Sequence, residues 1–192
     1  FGSLSLSQRQ VLWAVCGLDE APLPLFAAAP NRREPPVALP EAAPGEEVAD
    51  DYRALRLSLK DHPLALLRGA LGTGYMPCAR LAETAHGRRA QVAGLVVNRQ
   101  RPGSAKGVIF ATLEDETGIA NLIVWPAVFE RFRKAVLGAS LLGVTGRVQR
   151  EGLVVHVLAE EVHDLTALLG RLDGPPEATA GDRLAIASRD FH

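Results

Sequence analysis

VIFATLEDETGIANLIVWPAVFERFRKAVLG, residues 108–138, holds two strand-like runs, the turn between them and a helix after them. The runs 108–113 and 119–125 are rich in β-branched and apolar residues, which favour strands. The tetrapeptide DETG at 115–118 predicts a hairpin turn that ends in glycine. Proline opens the segment 126–138, whose apolar residues recur at helical spacing until glycine ends it. This stretch therefore predicts strand, turn, strand and amphipathic helix.

Three more apolar runs have the period of strands. The first is 91–100, in which Gly94 tolerates a bulge or a sharp bend. Two others, 140–149 and 153–159, follow the helix and are joined by a turn at 150–152. In the run 140–149 three apolar residues alternate with three polar ones, which predicts one buried and one solvent-facing side. The residues are Leu142, Val144 and Val148 against Thr145, Arg147 and Gln149.

Three strands, a helix and two strands form the order of an OB-fold. We therefore predict an α+β chain that is mostly β: a five-stranded OB-fold barrel with a helix between strands three and four. The helix 126–138 has one apolar face, and this face is expected to pack on the barrel. It consists of Val128, Phe129, Phe132 and Val136.

Short helices and a proline-rich linker precede the predicted barrel. The prolines of residues 27–45 favour an extended linker, and residues 46–59 have the pattern of a helix with one apolar stripe. That stripe consists of Val48, Tyr52, Leu55 and Leu59. A second helix begins with Pro63 in its first turn, and a helical turn is predicted at 78–83. The chain divides into a helical end 1–26, a linker 27–45, a helical connector 46–85, the barrel 86–170 and a tail 171–192.

Composition excludes a strongly charged binding protein. The 192 residues are 47% hydrophobic with a net charge of −1, so any nucleic-acid binding has to come from a local patch. Cys16 and Cys78 are far apart with no ligand spacing, which indicates buried, reduced thiols and no zinc site in a cytoplasmic protein. No apolar run approaches the length of a membrane span.

A local patch is predicted at RQRPGSAKG, residues 99–107, which we call the basic loop. In an OB-fold the loop after strand one and the loop after strand four flank the ligand face. We predict that cations of both loops converge there and bind single-stranded DNA, although a polar loop is also typical of plain solvation. The predicted DNA-binding residues are Arg99, Arg101, Lys106, Arg147, Arg150 and, as a stacking aromatic, Phe110. Phe110 and Trp125 are the aromatic residues on these strands, and either can equally belong to the core.

No catalytic or metal site is predicted. Glu114, Asp115 and Glu116 resemble a carboxylate cluster, but a hairpin turn needs polar residues anyway and no histidine accompanies them. His156 alternates with apolar residues and is interpreted as a hydrogen-bonded strand histidine. No arrangement of nucleophile, acid and base is recognisable.

The stretch PLPLF, residues 22–26, precedes the linker. A short apolar peptide of this kind docks in the groove of a partner or packs back on its own helix. The predicted partner-binding residues are Leu23, Leu25 and Phe26. The alternative function is accordingly a protein-interaction module that makes no direct contact with DNA.

Several segments together resemble the C-terminal region of the error-prone bacterial C-family DNA polymerases, relatives of the polymerase III α subunit. They are LSQRQVLWAV, PLPLFA, DYRALRLSLKDHPLALLR, the long stretch RQRPGSAKGVIFATLEDETGIANLIVWPAVFERFR, and the final SRDFH. The resemblance implies the end of a helix-hairpin-helix region, a connector, the OB domain and a native C-terminus at His192. It implies that the polymerase active site lies upstream, outside this segment.

The resemblance also implies what the parent protein does. Its activity would be template-directed nucleotidyl transfer with Mg²⁺, in damage-induced mutagenesis and translesion synthesis. Its partners would include single-stranded template DNA and an inactive Y-family-like accessory protein. Replicative relatives carry a clamp-binding peptide with a leading glutamine where PLPLF lies. Pro22 stands in place of that glutamine, which argues against direct binding to the sliding clamp.

Overall fold

The computed structural model describes residues 8–16, 39–55, 57–152, 154–173 and 189–190. The helices are α1 Gln8–Cys16, α2 Pro44–Leu55, α3 Pro63–Leu71 and α4 Pro126–Gly138, with 3-10 helices at Cys78–Glu83, Gly103–Ala105 and Thr166–Arg171. The strands are β1 Arg89–Gln100, β2 Ile109–Asp115, β3 Gly118–Val124, β4 Leu141–Glu151, β5 Val154–Asp164 and β6 Arg189–Asp190. Within the described residues no helix is long and apolar enough to cross a bilayer.

The first five strands close into a barrel. β1 pairs antiparallel with β4 through its first half and with β2 through its second half. β2 and β3 form a hairpin, β3 runs parallel to β5, and β5 pairs antiparallel with β4. Because every strand from β1 to β5 has two neighbours, the ring is complete, and α4 lies between β3 and β4 in the chain. The predicted OB-fold is confirmed.

The strand β1 changes its pairing partner from β4 to β2 next to Gly94. A Cβ atom there would lie 2.8 Å from the backbone oxygen of Glu114 and from the Cβ of Leu113. Only glycine accommodates such an approach without moving β2. The bulge itself lies two residues further on, between Val96 and Asn98. This bulge exchanges the two sides of the strand for the residues that follow.

The α4 helix occupies the predicted residues, and its predicted apolar face is confirmed. Phe129 and Val136 are buried, while Val128 and Phe132 are half-buried against the barrel core. The side chain of Cys78 is buried as predicted, and burial, followed by the nearby carboxylate of Asp115, raises the pKa of its thiol well above the ordinary value. The environment of the Cys16 side chain lies outside the described residues.

The predicted solvent-facing side of β4 is wrong at Thr145, whereas Arg147 is exposed and Gln149 partly exposed. Thr145 is only 1% exposed and its hydroxyl accepts a hydrogen bond from the side-chain amide of Gln91 at 3.1 Å. The start of β4 and the middle of β1 are covered by a second apolar cluster, which the helical connector and the 3-10 helix Thr166–Arg171 contribute. Its buried members include Ala49, Leu64, Leu67, Ala93, Leu95, Leu141 and Leu169. The connector therefore packs on the barrel wall.

The α2 helix is shorter than predicted, and half of its predicted apolar stripe is wrong. Val48 is buried and Tyr52 half-buried, but Leu55 is 66% exposed and Leu59 97% exposed. The helix ends at Leu55, so the last turn of the stripe never forms. The packed side is completed instead by Ala49, which is fully buried.

The buried carboxylate of Asp115 ties the β2–β3 hairpin to the connector. Its Oδ1 accepts hydrogen bonds from the Thr117 hydroxyl at 2.6 Å, the Thr117 amide at 2.8 Å and the Gly118 amide at 3.0 Å. Its Oδ2 accepts from the amide of Cys78 at 2.8 Å and from Nη2 of Arg68 at 2.9 Å. Burial alone would raise the pKa of Asp115, but these donors outweigh it and lower that pKa.

We predict that Asp115→Asn lowers the free energy of unfolding by about 3 kcal/mol, because a buried acceptor of five donors is exchanged for a group that also donates. The matched control is Glu116→Gln, which breaks only the neighbouring ion pair with Arg68 and should cost under about 1 kcal/mol. Urea denaturation at neutral pH measures both. Equal destabilisation of the two variants would refute this role of Asp115.

The same carboxylate predicts a dependence of stability on pH. Since its pKa is lowered by folding, its contribution is present above the ordinary aspartate pKa of about 3.9 and is lost as the pH falls below that value. The stability difference between the unsubstituted chain and Asp115→Asn should therefore narrow below about pH 4. Denaturation curves at a series of pH values check this.

Candidate nucleic-acid interface

The strand register aligns two rows of side chains around the outside of the barrel. Paired residues in neighbouring strands point to the same side of the sheet, so each row can be followed across all five strands. The polar row consists of Asn98, Thr112, Asn121, His156 and Gln149. The mixed row consists of Gln100, Phe110, Ile123, Leu158 and Arg147. Every member is at least partly exposed.

A pocket of about 400 Å³ opens beside the mixed row. Its lining is mostly apolar and includes three residues of the basic loop and Gln149 from β4. The lining residues are Ser104, Ala105, Lys106, Val108, Phe110, Ile123, Trp125, Pro126 and Gln149. The basic loop and the end of β4 therefore meet at this pocket.

The basic loop has a defined backbone. Its 3-10 turn is closed by hydrogen bonds from the amide of Ala105 to the carbonyl of Pro102 and from the amide of Val108 to the carbonyl of Ala105, each 3.0 Å. Lys106 has a φ of 47° and Gly107 a φ of 87°. A left-handed conformation is uncommon for lysine, and such positions are concentrated in functional loops. The turn leaves the side chain of Lys106 exposed at the pocket rim.

Arg101 and Arg147 also lie on the surface. The guanidinium of Arg101 lies over the ring of Phe129, 5.4 Å from its centroid. Arg147 ends the mixed row, and its Nε donates to Glu160 at 2.9 Å while its Nη1 donates to the carbonyl of Gly87 at 3.3 Å. Arg147 therefore borders the face with its charge partly neutralised.

Arg99 and Arg150 have different surroundings from those predicted. Arg99 is 8% exposed and donates to the carbonyl of Ala139, because the bulge after Val96 turns its side chain inward. Arg150 donates from Nε to the carbonyl of Thr84 at 3.1 Å and from Nη2 to two further carbonyls of the Cys78–Glu83 helix region. Of the five cations that were predicted to converge, three therefore have exposed side chains: Arg101, Lys106 and Arg147.

Trp125 is the main residue that the sequence-based choice of DNA-binding residues omitted. It is 53% exposed and lines the pocket together with Phe110. The alternation of β3, in which Leu122 and Val124 are buried, places Trp125 on the outer side with Asn121 and Ile123. This alternation is visible in the sequence and could have identified Trp125 as an outward-facing residue.

Two polar atoms on the polar row lack a hydrogen-bond partner among the described residues. They are the Oδ1 of Asn98 and the Nδ1 of His156. The interpretation of His156 as a hydrogen-bonded strand histidine is therefore not met at its Nδ1. Within the described residues no group of three or more His, Cys, Asp or Glu side chains is placed to hold a metal ion. The predicted partner-binding residues Leu23, Leu25 and Phe26 lie outside the described residues.

Comparisons with known proteins agree with this geometry. Residues 90–165 match the family described as OB-fold nucleic acid binding domain. The chain is 48% identical over 97% of its length to error-prone DNA polymerase 2 of Rhizobium meliloti, of which it covers 18%. It is 53% identical over 90% of its length to an error-prone DNA polymerase of Rhodopseudomonas palustris, of which it covers 16%. The chain thus spans about a sixth of the length of these relatives.

Among solved structures, asparaginyl-tRNA synthetase from Pyrococcus horikoshii aligns with a TM-score of 0.41 and 26% identity. The alignment covers 47% of this chain and 23% of that chain.

We predict that Arg150 stabilises the fold through its contacts with the Cys78–Glu83 region. Replacing it by methionine removes the donor to three backbone carbonyls and should lower the free energy of unfolding by about 1–2 kcal/mol. Lys106→Met, at an exposed loop position, is the control and should change it by less than about 0.5 kcal/mol. Chemical denaturation compares the two, and an Arg150 variant of unchanged stability would contradict the assignment.

Proposed function

We propose that this chain, which is homologous to a segment of the error-prone DNA polymerases, binds single-stranded DNA on the outer face of its OB-fold barrel. In the longer polymerase this segment would hold template DNA during synthesis past lesions, as part of damage-induced mutagenesis. Nucleotidyl transfer and its Mg²⁺ would belong to the rest of that protein.

The observation that carries the proposal is the pocket in which Phe110 and Trp125 lie beside Lys106. An exposed aromatic ring offers a base a stacking surface worth about 1–3 kcal/mol, whatever the base. A cation at the rim lies where the phosphate of a stacked nucleotide would be placed. The pocket thus offers apolar and aromatic surface for the base of a nucleotide and a cation for its phosphate.

The two rows extend this surface across the barrel. Ile123 and Leu158 continue the apolar surface of Phe110, so that further bases have apolar side chains to pack on. The polar row supplies amide, hydroxyl and imidazole groups for sugars and base edges.

Electrostatics favours phosphate as the anion at the rim. Neither Arg101 nor Lys106 has a carboxylate partner among the described residues, so neither is already neutralised. Each phosphate that such a cation neutralises releases counterions, which makes binding depend on salt. A chain of net charge −1 adds no long-range attraction of its own.

A second function, the docking of an accessory protein, is supported by the opposite end of the face. Ile119 is 59% exposed and Val154 48% exposed, and they line a pocket of about 380 Å³ with Ala79 and Ala82. Most of the side chains that line this pocket are apolar and none is a cation, which argues against a phosphate backbone as its ligand. The segment of Leu23, Leu25 and Phe26 is a second proposed docking element.

The proposal is tested by fluorescence anisotropy with a labelled oligothymidylate at two salt concentrations. We expect Trp125→Ala to weaken binding about 5- to 150-fold, which corresponds to the removal of one stacked base, with the salt slope unchanged. Trp13→Ala is the matched control, because Trp13 is similarly exposed but lies on α1. Equal affinities of both variants would show that the pocket does not bind a base.

The cations are tested by the salt slope in the same assay. Arg101→Ala with Lys106→Ala should make the slope of log affinity against log salt shallower by about 0.7 for each phosphate that is no longer neutralised. Arg171→Ala, at an exposed position on the 3-10 helix after β5, is the control. An unchanged slope in the double variant would exclude the basic loop from the interface.

A further inference from the structure

The α4 helix carries a second group of cations that the interface described above does not include. Arg131, Arg133 and Lys134 are all exposed. Glu130 is the acidic residue of the helix, and it contacts Arg133 at 3.7 Å. The outer surface of α4 is therefore positively charged.

This surface is continuous with the basic loop. Arg101 from the loop and Arg133 from α4 both lie 5.4 Å from the centroid of the Phe129 ring. Phe129 is only 2% exposed, so the two guanidinium groups lie close to the same buried ring. Arg131 in turn lies 5.0 Å from the centroid of Phe132. We call the set Lys106, Arg101, Arg133, Arg131 and Lys134 the basic ridge.

The basic ridge begins where the pocket ends. Trp125 lines the pocket, and its carbonyl accepts the first hydrogen bond of α4, from the amide of Phe129 at 2.9 Å. Lys134 lies eight residues beyond Pro126, and α4 is kinked between them at Phe132, whose backbone is non-helical with a φ of −116° and a ψ of 24°. A strand that leaves the pocket past Trp125 would therefore follow the outer surface of α4.

The charges of the ridge are less neutralised than those of several cations elsewhere on the surface, although Arg80, Arg88 and Arg171 also have no carboxylate partner among the described residues. Arg9, Lys60, Arg68 and Arg147 each contact a carboxylate within 3 Å. Among the described residues Arg101, Lys106, Arg131 and Lys134 have no carboxylate partner, and that of Arg133 is at 3.7 Å. The helix α4 carries three cations against one acidic residue, Glu130, whose pair with Arg133 is a long i, i+3 contact, so cations are in excess on its surface.

Two further features suit phosphate binding. Each guanidinium that packs on an aromatic ring already has restricted side-chain freedom, so binding an anion costs it less entropy. The planar guanidinium also donates in a fork that matches two phosphate oxygens. Three of the five ridge cations are arginines held in this way.

We propose that the basic ridge is a phosphate track that carries the DNA strand beyond the barrel pocket along α4. The track contacts the sugar-phosphate backbone only, and it lengthens the binding site without adding base selectivity. This inference rests on the proposed function, because the strand reaches the ridge from the pocket.

The test compares a short and a long labelled oligothymidylate, about 4 and about 16 nucleotides, a range that OB-folds span. The variant Arg131→Ala with Lys134→Ala removes two ridge cations, and alanine keeps the helix propensity of α4 high. The control, Arg80→Ala with Arg171→Ala, removes two exposed cations that lie outside the ridge. Circular dichroism and urea denaturation confirm that both variants fold.

We expect the ridge variant to bind the long oligonucleotide about tenfold more weakly, with a salt slope shallower by about 1.4 because two phosphates are no longer neutralised. Its affinity for the short oligonucleotide should be unchanged, and the control should match the unsubstituted chain with both. Equal weakening in ridge and control variants, or full affinity of the ridge variant for the long strand, would overturn the track while leaving the pocket in place. Absence of binding by the unsubstituted chain to either strand would overturn the proposed function itself.

Discussion

The closure of the barrel depends on β1, which is shared between two partners. Its first half pairs with β4 and its second half with β2, and the change of partner requires the backbone of β2 to approach Gly94 closely. Any side chain at this position would push β2 away and open the ring between the two halves of β1. The pairing of β1 with β2 depends on this approach, and this pairing joins the β1 and β2 members of the polar and mixed rows.

The same strand decides which cations reach the solvent. Before the bulge, Val92 and Val96 point into the core; after it, Asn98 and Gln100 point outward and Arg99 turns in beside Ala111. Simple alternation without a bulge would have exposed Arg99 and buried Asn98. The side chain of Arg99 then donates a hydrogen bond to the carbonyl of Ala139 at the end of α4. A residue that the sequence assigns to a basic surface therefore connects the helix to β1.

This explains how far the sequence could predict the structure. The bounds of α4 and the β2–β3 turn were predictable because proline, glycine and a hairpin tetrapeptide act locally. The burial of Thr145, the inward turn of Arg99 and the contacts of Arg150 were not, because each depends on a segment distant in the chain that packs against it. Trp125 was an intermediate case, since alternation along β3 indicated its side but not the pocket beside it.

The distribution of charge has a consequence for how a near-neutral chain holds an anion. Cations that carry out structural tasks, such as Arg68, Arg99 and Arg150, are held by carboxylates or carbonyls and leave little free charge. Among the other exposed cations, those of the basic loop and of α4 lie near the pocket, while Ile119 and Val154 lie at the other end of β3 and β5. Because the Debye length is about 8 Å at physiological salt, this local charge acts on a phosphate in contact and not on distant DNA. The proposed binding would suit a segment to which a larger protein delivers the strand, and the end around Ile119 and Val154 would remain open for the proposed protein contact.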